Sequence, residues 1–179
     1  MITLETPRLR LPALDIMHTE LLVTDRPELE RRLGLNVSHM RIDPLYQKEI
    51  DEAMPWLLRK AEEFPEAYPW FSPWEIIHRE FNLAIGGMGF AGPPDENGRV
   101  IFGYHVDENH QRKGYASEAA EALCAWAFED PRVQAIAATI PPGNFSSQRV
   151  VRKNGFLPAG QIFQEGMELY VFEKRRISE

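Results

Sequence analysis

Between Arg99 and Phe128 the sequence switches once, and abruptly, from one hydrophobic rhythm to another. Arg99 to Val106 (Arg-Val-Ile-Phe-Gly-Tyr-His-Val) reads as a strand. Tyr115 to Phe128 reads as a helix, with Ala119, Ala120, Leu123, Cys124 and Ala127 on one face while Glu118, Glu121 and Glu129 stay wet. The joint is His110-Gln111-Arg112-Lys113-Gly114-Tyr115-Ala116. A strand that runs through a tight turn into a helix leaves the first helical N–H groups unpaired, and the helix dipole adds partial positive charge there. Such a junction is a ready anion site, with phosphate its usual guest. Gly114 admits a close backbone approach, Ala116 keeps the next step small, and Arg112 and Lys113 add positive charge at the rim. An ordinary strand-to-helix turn with two solvated cations accounts for the same residues equally well.

The rest of the chain supplies the context. Thr6 to Leu11 alternates as a half-buried first strand, ended by Pro12. Helices are expected from Asp15 to Leu22, with Asp15 as N-cap, and from Arg26 to Leu33, with Pro27 early and Gly34 just past the end. Gln47 to Lys60 forms a third helix that Pro55 kinks or shortens. Glu62 to Trp74 crowds aromatics between prolines and reads as a rigid, irregular loop, either a core lid or a pocket wall. Strands follow at Trp74 to Glu80 and Leu83 to Phe90, then Gly92 to Gly98 is a loop before the central strand. After the long helix come a strand at Val133 to Ile140 and a short helix at Ser147 to Lys153. That helix is capped by Asn144 or Ser146, with Gly155 in the left-handed position beyond it. Phe156 to Phe163 and Met167 to Lys174 close the chain as a hairpin with Glu165-Gly166 at its tip.

With 179 residues the chain is of single-domain size, and we expect one domain over 1–179. Lys+Arg 20 against Asp+Glu 27 gives a net charge of −7, which argues against a nucleic-acid surface. No apolar run nears transmembrane length and no signal-peptide core opens the chain. The single cysteine, Cys124, fits a reducing compartment, so a cytoplasmic setting is expected. The five histidines are scattered, without metal-ligand spacing.

Gln111-Arg112-Lys113-Gly114-Tyr115-Ala116 resembles the acetyl-coenzyme-A pyrophosphate loop of the GNAT N-acetyltransferase superfamily, Gln/Arg-x-x-Gly-x-Gly/Ala. The approach through Gly103-Tyr104-His105-Val106 is most similar to the branch that includes the Rim-type ribosomal-protein-alanine acetyltransferases. A second stretch, Asn144-Phe145-Ser146-Ser147 followed by Lys153-Asn154-Gly155-Phe156, resembles the other hallmark of that superfamily. Two such motifs in the right order are more specific than either alone. The resemblance implies a GNAT-like α+β fold of three layers. Its mixed, mostly antiparallel central sheet has a splayed strand pair and helices on both faces.

The resemblance also implies acetyl-CoA as co-substrate, no metal, and transfer of the acetyl group to a primary amine. Cofactor contacts would come from Tyr104, Val106, Gln111, Arg112, Lys113, Gly114, Tyr115, Ala116, Asn144, Ser147 and Arg149. Many members carry a tyrosine acid at the place of Val151, whereas Rim-type members use a serine at the place of Ser147. Direct attack on a thioester asks mainly for positioning and an oxyanion donor, here the Val106 N–H. A base must first take the ammonium proton, and His105, Glu75, His78 and Glu80 are candidates. Glu75 and His78 lie three apart on a strand and point to opposite faces, so at most one serves. Val151 leaves room for a non-catalytic acyl-CoA-binding module on the same fold. A nucleotide-phosphate enzyme fits less well, because no Gly-Lys-Ser/Thr ending follows Gly114. The closing hairpin offers an edge for a homodimer.

Overall fold

The computed structural model describes residues 1–164 and 166–177, so Glu165 at the tip of the closing hairpin lies outside the described residues. Its elements are β1 (Thr3–Glu5), β2 (Leu9–Pro12), α1 (Ile16–Thr24), α2 (Arg26–Arg32), α3 (Pro44–Glu63), α4 (Tyr68–Phe71), β3 (Trp74–His78), β4 (Leu83–Phe90), β5 (Arg99–Val106), α5 (Tyr115–Glu129), β6 (Ala135–Ile140), α6 (Phe145–Lys153), β7 (Leu157–Gln164) and β8 (Met167–Arg175). The strands form one eight-stranded sheet in the order β1-β2-β3-β4-β5-β6-β8-β7. Every neighbouring pair is antiparallel except β5 and β6, which the α5 crossover joins in parallel.

That one parallel pair is short. Arg99, Val100 and Ile101 pair with Ala135, Ile136 and Ala137, and nothing further pairs. Beyond Ile101, β5 stays with β4 as far as Val106, and β6 stays with β8 as far as Ile140. The sheet therefore opens into a V at its centre, at the Tyr104-His105-Val106 end of β5.

Two layers of helix cover the sheet. Ile76, Ile85, Val100 and Phe102 share one buried cluster with Ala119, Ala120, Leu123 and Ala127 of α5. The small residues of that helix face let it lie close to the strands. On the other face Ile77 and Ala84 pack with Leu35, and Leu33 and Met40 rest against them. Leu123 is fully buried at the α5 contact. Leu123→Ala should lower stability by about 2–5 kcal/mol through lost burial plus a cavity, read as a shift of the urea midpoint at constant slope.

Caps set most helix ends. Asp15 accepts from the His18 N–H, and Asp25 accepts from the Glu28 N–H with Pro27 in the first turn. Asn144 accepts the Ser147 N–H, which makes it, not Ser146, the α6 cap. At the other end Gly155 takes φ 81. Its N–H donates to Arg152 O, the Phe156 N–H reaches back to Val151 O, and both Val151 and Phe156 are buried. This is a Schellman closure with its hydrophobic clasp.

Some expectations shift. The expected first strand begins at Leu9 and includes Pro12, with a short β1 before it, because Thr6 and Leu9 bond to each other through Thr6 Oγ1 and both backbones, making a turn at Pro7. The β6 strand starts at Ala135, since Gln134 and Ala135 both spend their N–H groups on Gly98 O. The aromatic stretch holds a 3-10 turn at Pro65–Ala67 and the single turn α4. Helix α3 continues past Pro55 to Glu63 and is not shortened there, and Pro55 is exposed, so water can serve the carbonyl it leaves unpaired.

Candidate active site

The turn before α5 is held open by its own backbone. Arg112 takes φ 61 and Gly114 φ 84, so two left-handed residues flank Lys113 and turn successive N–H groups toward one concavity. Gly114 is the N-cap and offers no side chain to the Tyr115, Ala116 and Ser117 amides behind it. Glu118 N–H already closes on Gly114 O. The side chains around the loop brace it. Lys113 Nζ donates to Asn109 O at 2.9 Å and Gln111 Nε2 to Val106 O at 3.0 Å. The Tyr115 ring is turned into the core, its hydroxyl 3.0 Å from His78 Nε2, so only its backbone faces the turn.

Arg8, which sequence reasoning passed over, locks the loop from the β1–β2 turn. It donates from Nη1 to Lys113 O at 3.0 Å, pairs through Nε with Glu118 Oε2 at 2.6 Å, and lies over the Tyr115 ring. Asp107 anchors the upstream side. Its carboxylate accepts from the Arg41 N–H at 2.9 Å and contacts the His110 ring at 2.6 Å. Burial opposes ionisation of Asp107, but those hydrogen bonds outweigh it and hold the carboxyl below its usual range.

Strand alternation decides where the β5 backbone points. Ala91 N–H bonds to Ile101 O and Asp107 N–H to Ile85 O, so odd-numbered residues of β5 face β4. The N–H groups of Tyr104 and Val106 therefore point into the V, where no strand of β6 faces them. Gly103 adds open space, since a Cβ there would meet nothing within 4 Å. Val106 and the glycine turn thus stand at the same end of the fork.

A cavity of about 810 Å³ opens beside the V. Its lining includes Tyr104, Thr139, Pro141, Asn144 and Ser147, together with Arg26, Glu75, Gly87 and residues of α3. Tyr104 donates to Ser147 O at 3.2 Å, and burial pushes its phenol up to about 12, so it stays protonated. Asn144 accepts from Ser147 N–H and Ser146 Oγ, and its Nδ2 donates to the Tyr46 hydroxyl of α3. Cap and cavity lining therefore coincide in one side chain.

On the far wall lies a buried charge cluster. Arg26 Nη2 sits 2.7 Å from Glu75 Oε2 and Arg26 Nε 3.1 Å from Glu30 Oε1. Glu30 also takes the Ser38 N–H at 2.7 Å and the Ser38 hydroxyl. Glu75 has less: its Oε1 has only a 3.5 Å contact with Arg26 Nη1. Burial raises the Glu75 carboxyl above its usual range, although Arg26 pulls the other way. His105 lies nearby, its ring against Gly87, where an added Cβ would come within 2.8 Å of Cε1. Burial, with the Arg26 charge in support, lowers His105 to about 4, so its imidazole is neutral at physiological pH.

Of the base candidates, Glu75 and His105 line the cavity. His78 faces α5 on the opposite side of the sheet and Glu80 lies exposed in the turn after β3. Arg149 and Arg112 are exposed outside the cavity, Arg149 on α6 and Arg112 on the loop. Val151, where a tyrosine acid would sit, is buried in the α6 closure and turned from the cavity. Cys124 is buried and its thiol is pushed up to about 12, which removes it as a nucleophile. No helix among the described residues is long and apolar enough to cross a membrane.

Residues 8–157 match the family profile described as an acetyltransferase (GNAT) domain. The chain is 32% identical over 157 residues to the uncharacterized N-acetyltransferase YjdG of Bacillus subtilis (strain 168), a match spanning 88% of this chain and 90% of that one. Among solved structures, the ribosomal L7/L12 alpha-N-protein acetyltransferase RimL in complex with coenzyme A aligns with a TM-score of 0.68 at 19% identity, over 97% and 98% of the two chains. The ribosomal-protein-S5-alanine acetyltransferase from Vibrio fischeri aligns with a TM-score of 0.66 at 15% identity, over 98% and 97%. At those identities the two structures speak for the fold.

Proposed function

Because the chain belongs to the GNAT acetyltransferase family, we propose that it moves the acetyl group of acetyl-CoA directly onto a primary amine. The acceptor is the α-amino group of a protein or a small-molecule amine, and the resemblance of the two motifs puts the chain in the Rim-type branch. The observation that carries the reading is the fork between β5 and β6, which opens beside the glycine turn and into the cavity.

The residues present fit the co-substrate. The left-handed turn at Arg112 and Gly114 gathers amides for a diphosphate, and the inward N–H of Tyr104 suits an amide carbonyl of an extended pantetheine arm. When bound, acetyl-CoA supplies an already activated acyl thioester. The Val106 N–H is the donor for the thioester oxygen. Ser147, with Asn144 and Tyr104 fixing its backbone, supports the departing sulfur. Glu75 accepts the proton of the ammonium: its carboxyl titrates above the ordinary range, whereas imidazolium at His105 is too acidic to hold a proton near neutral pH. His105 then orients the amine as a neutral acceptor.

We place this activity in one domain over residues 1–179 in a reducing, cytoplasmic setting. The β7 edge is exposed along its whole length, including Leu157, Ile162 and Phe163, which supports pairing of two copies there.

Thiol release from acetyl-CoA, followed against amines, amino acids, polyamines and N-terminal peptides, tests the proposal. Amine-dependent release, lowered about tenfold or more by Ser147→Ala, is expected, given that a positioned proton donor contributes roughly 10²–10⁴-fold. Thermal stabilisation by CoA without thiol release from any acceptor would instead identify a binding module.

A further inference from the structure

The acceptor side of the cavity has an uneven chemistry. Arg26 and Glu75 line it, and behind them Glu30 completes a cluster of two carboxylates sharing one guanidinium, with both carboxylates under 4% exposed. With both carboxylates ionised, the trio carries one negative charge more than Arg26 offsets. Glu30 is filled by Arg26 and Ser38, so the deficit falls on Glu75 Oε1, which among the described residues has its long contact with Arg26 alone. A buried carboxylate short of partners is stabilised by a cation brought to it.

The walls between that carboxylate and the outside are of another kind. Met40, Ile50, Met54 and Leu57 come from α3 and the loop before it, and Met88 and Phe90 from β4. The acidic residues of the lining on α3, Glu49 and Asp51, are solvent-exposed, not buried with those walls. A second ammonium lodged against the apolar walls would lose its water and gain no partner there.

Resting on the acetyl-transfer reading above, we infer that the acceptor is a primary amine borne directly on an apolar body. Its ammonium docks on Glu75 and its hydrocarbon lies against Ile50, Met54 and Leu57. Two sources carry that chemistry, a free alkyl- or arylalkylamine and the N-terminus of a peptide that begins with an apolar residue. Di- and polyamines and amines next to a second charge are poor acceptors. The exposed acids Glu49 and Asp51 serve to attract the cation, not to hold it.

The test is kcat/KM from thiol release across 1-aminoalkanes of three to six carbons, phenethylamine, putrescine, spermidine, and short peptides beginning with Ile or with Asp. Burial of each added methylene should raise kcat/KM about three- to fourfold. Phenethylamine or the Ile-initial peptide should exceed spermidine by at least tenfold, and whichever of the two leads names the source. Ile50→Glu places a carboxylate in the apolar wall without touching the Glu75 cluster. It should flatten the alkyl series and raise turnover of putrescine. A flat series in the parent protein, or a preference for spermidine or the Asp-initial peptide, overturns the inference while leaving acetyl transfer intact. Release with none of the amines removes both readings together.

Discussion

Gly114→Val raises the KM for acetyl-CoA about a hundredfold while the protein still melts as one cooperative unit. Gly114 sits at φ 84, where an L side chain costs roughly 1–2 kcal/mol and a β-branched one more. A Cβ there also comes within 3.4 Å of Arg8 Nη2, the group that braces the loop. The cheapest relief is to rotate Gly114 out of the left-handed region, which swings the Lys113 and Tyr115 amides off their common focus. Two hydrogen bonds to a charged diphosphate are worth about 3 kcal/mol together, hence the hundredfold. Gly114→Ala should lose about tenfold by the same route, with less strain. Calorimetric titration with CoA separates this from turnover. Unchanged CoA affinity in the valine variant would mean that the phosphates are gripped elsewhere.

The second large effect concerns stability. Arg26→Met leaves Glu30 and Glu75 buried with no cation, and breaking a buried pair in this way costs about 3–5 kcal/mol. The loss depends on pH with a definite sign. The Glu75 carboxyl already titrates above its ordinary value in the fold, and removing Arg26 takes away the influence that holds it down. Across the window between the unfolded carboxylate range, about 4.3, and the higher folded value, the native state binds more protons than the unfolded state. Stability therefore falls as pH rises through that window and is best retained below it. Urea midpoints should separate parent and variant less at pH 5 than at pH 8. An equal gap at both values would show that the cluster is not the source.

Much of the molecule could be read from neighbouring residues alone. The bounds of β4 and β5, the Gly114 turn, the Asn144 cap and the left-handed Gly155 each follow from a few consecutive side chains. Alternation on β3 also foretold that Glu75 and His78 part company, though only the fold shows which of them faces the cavity. What stayed hidden is long-range. Arg8 finds Glu118 across 110 positions, Tyr46 finds Asn144 across 98, and Arg26 finds Glu75 across 49. No local pattern marks such pairs, because each arises from how the β1–β2 turn, α3 and α2 are brought to the rest of the fold. The first strand was misjudged for the opposite reason: Thr6 folds back on Leu9, a bond too local for alternation to register.

The early parting of β5 from β6 also sets what kind of guest the protein favours. Rungs that an unbroken ladder would close internally are left for an outsider to complete. On the proposed reading, a long, amide-bearing arm would serve there as a surrogate strand, recognised by its peptide-like spacing more than by any side group it bears. The centre of the fold, usually its most finished part, is in this protein left open beyond three short rungs.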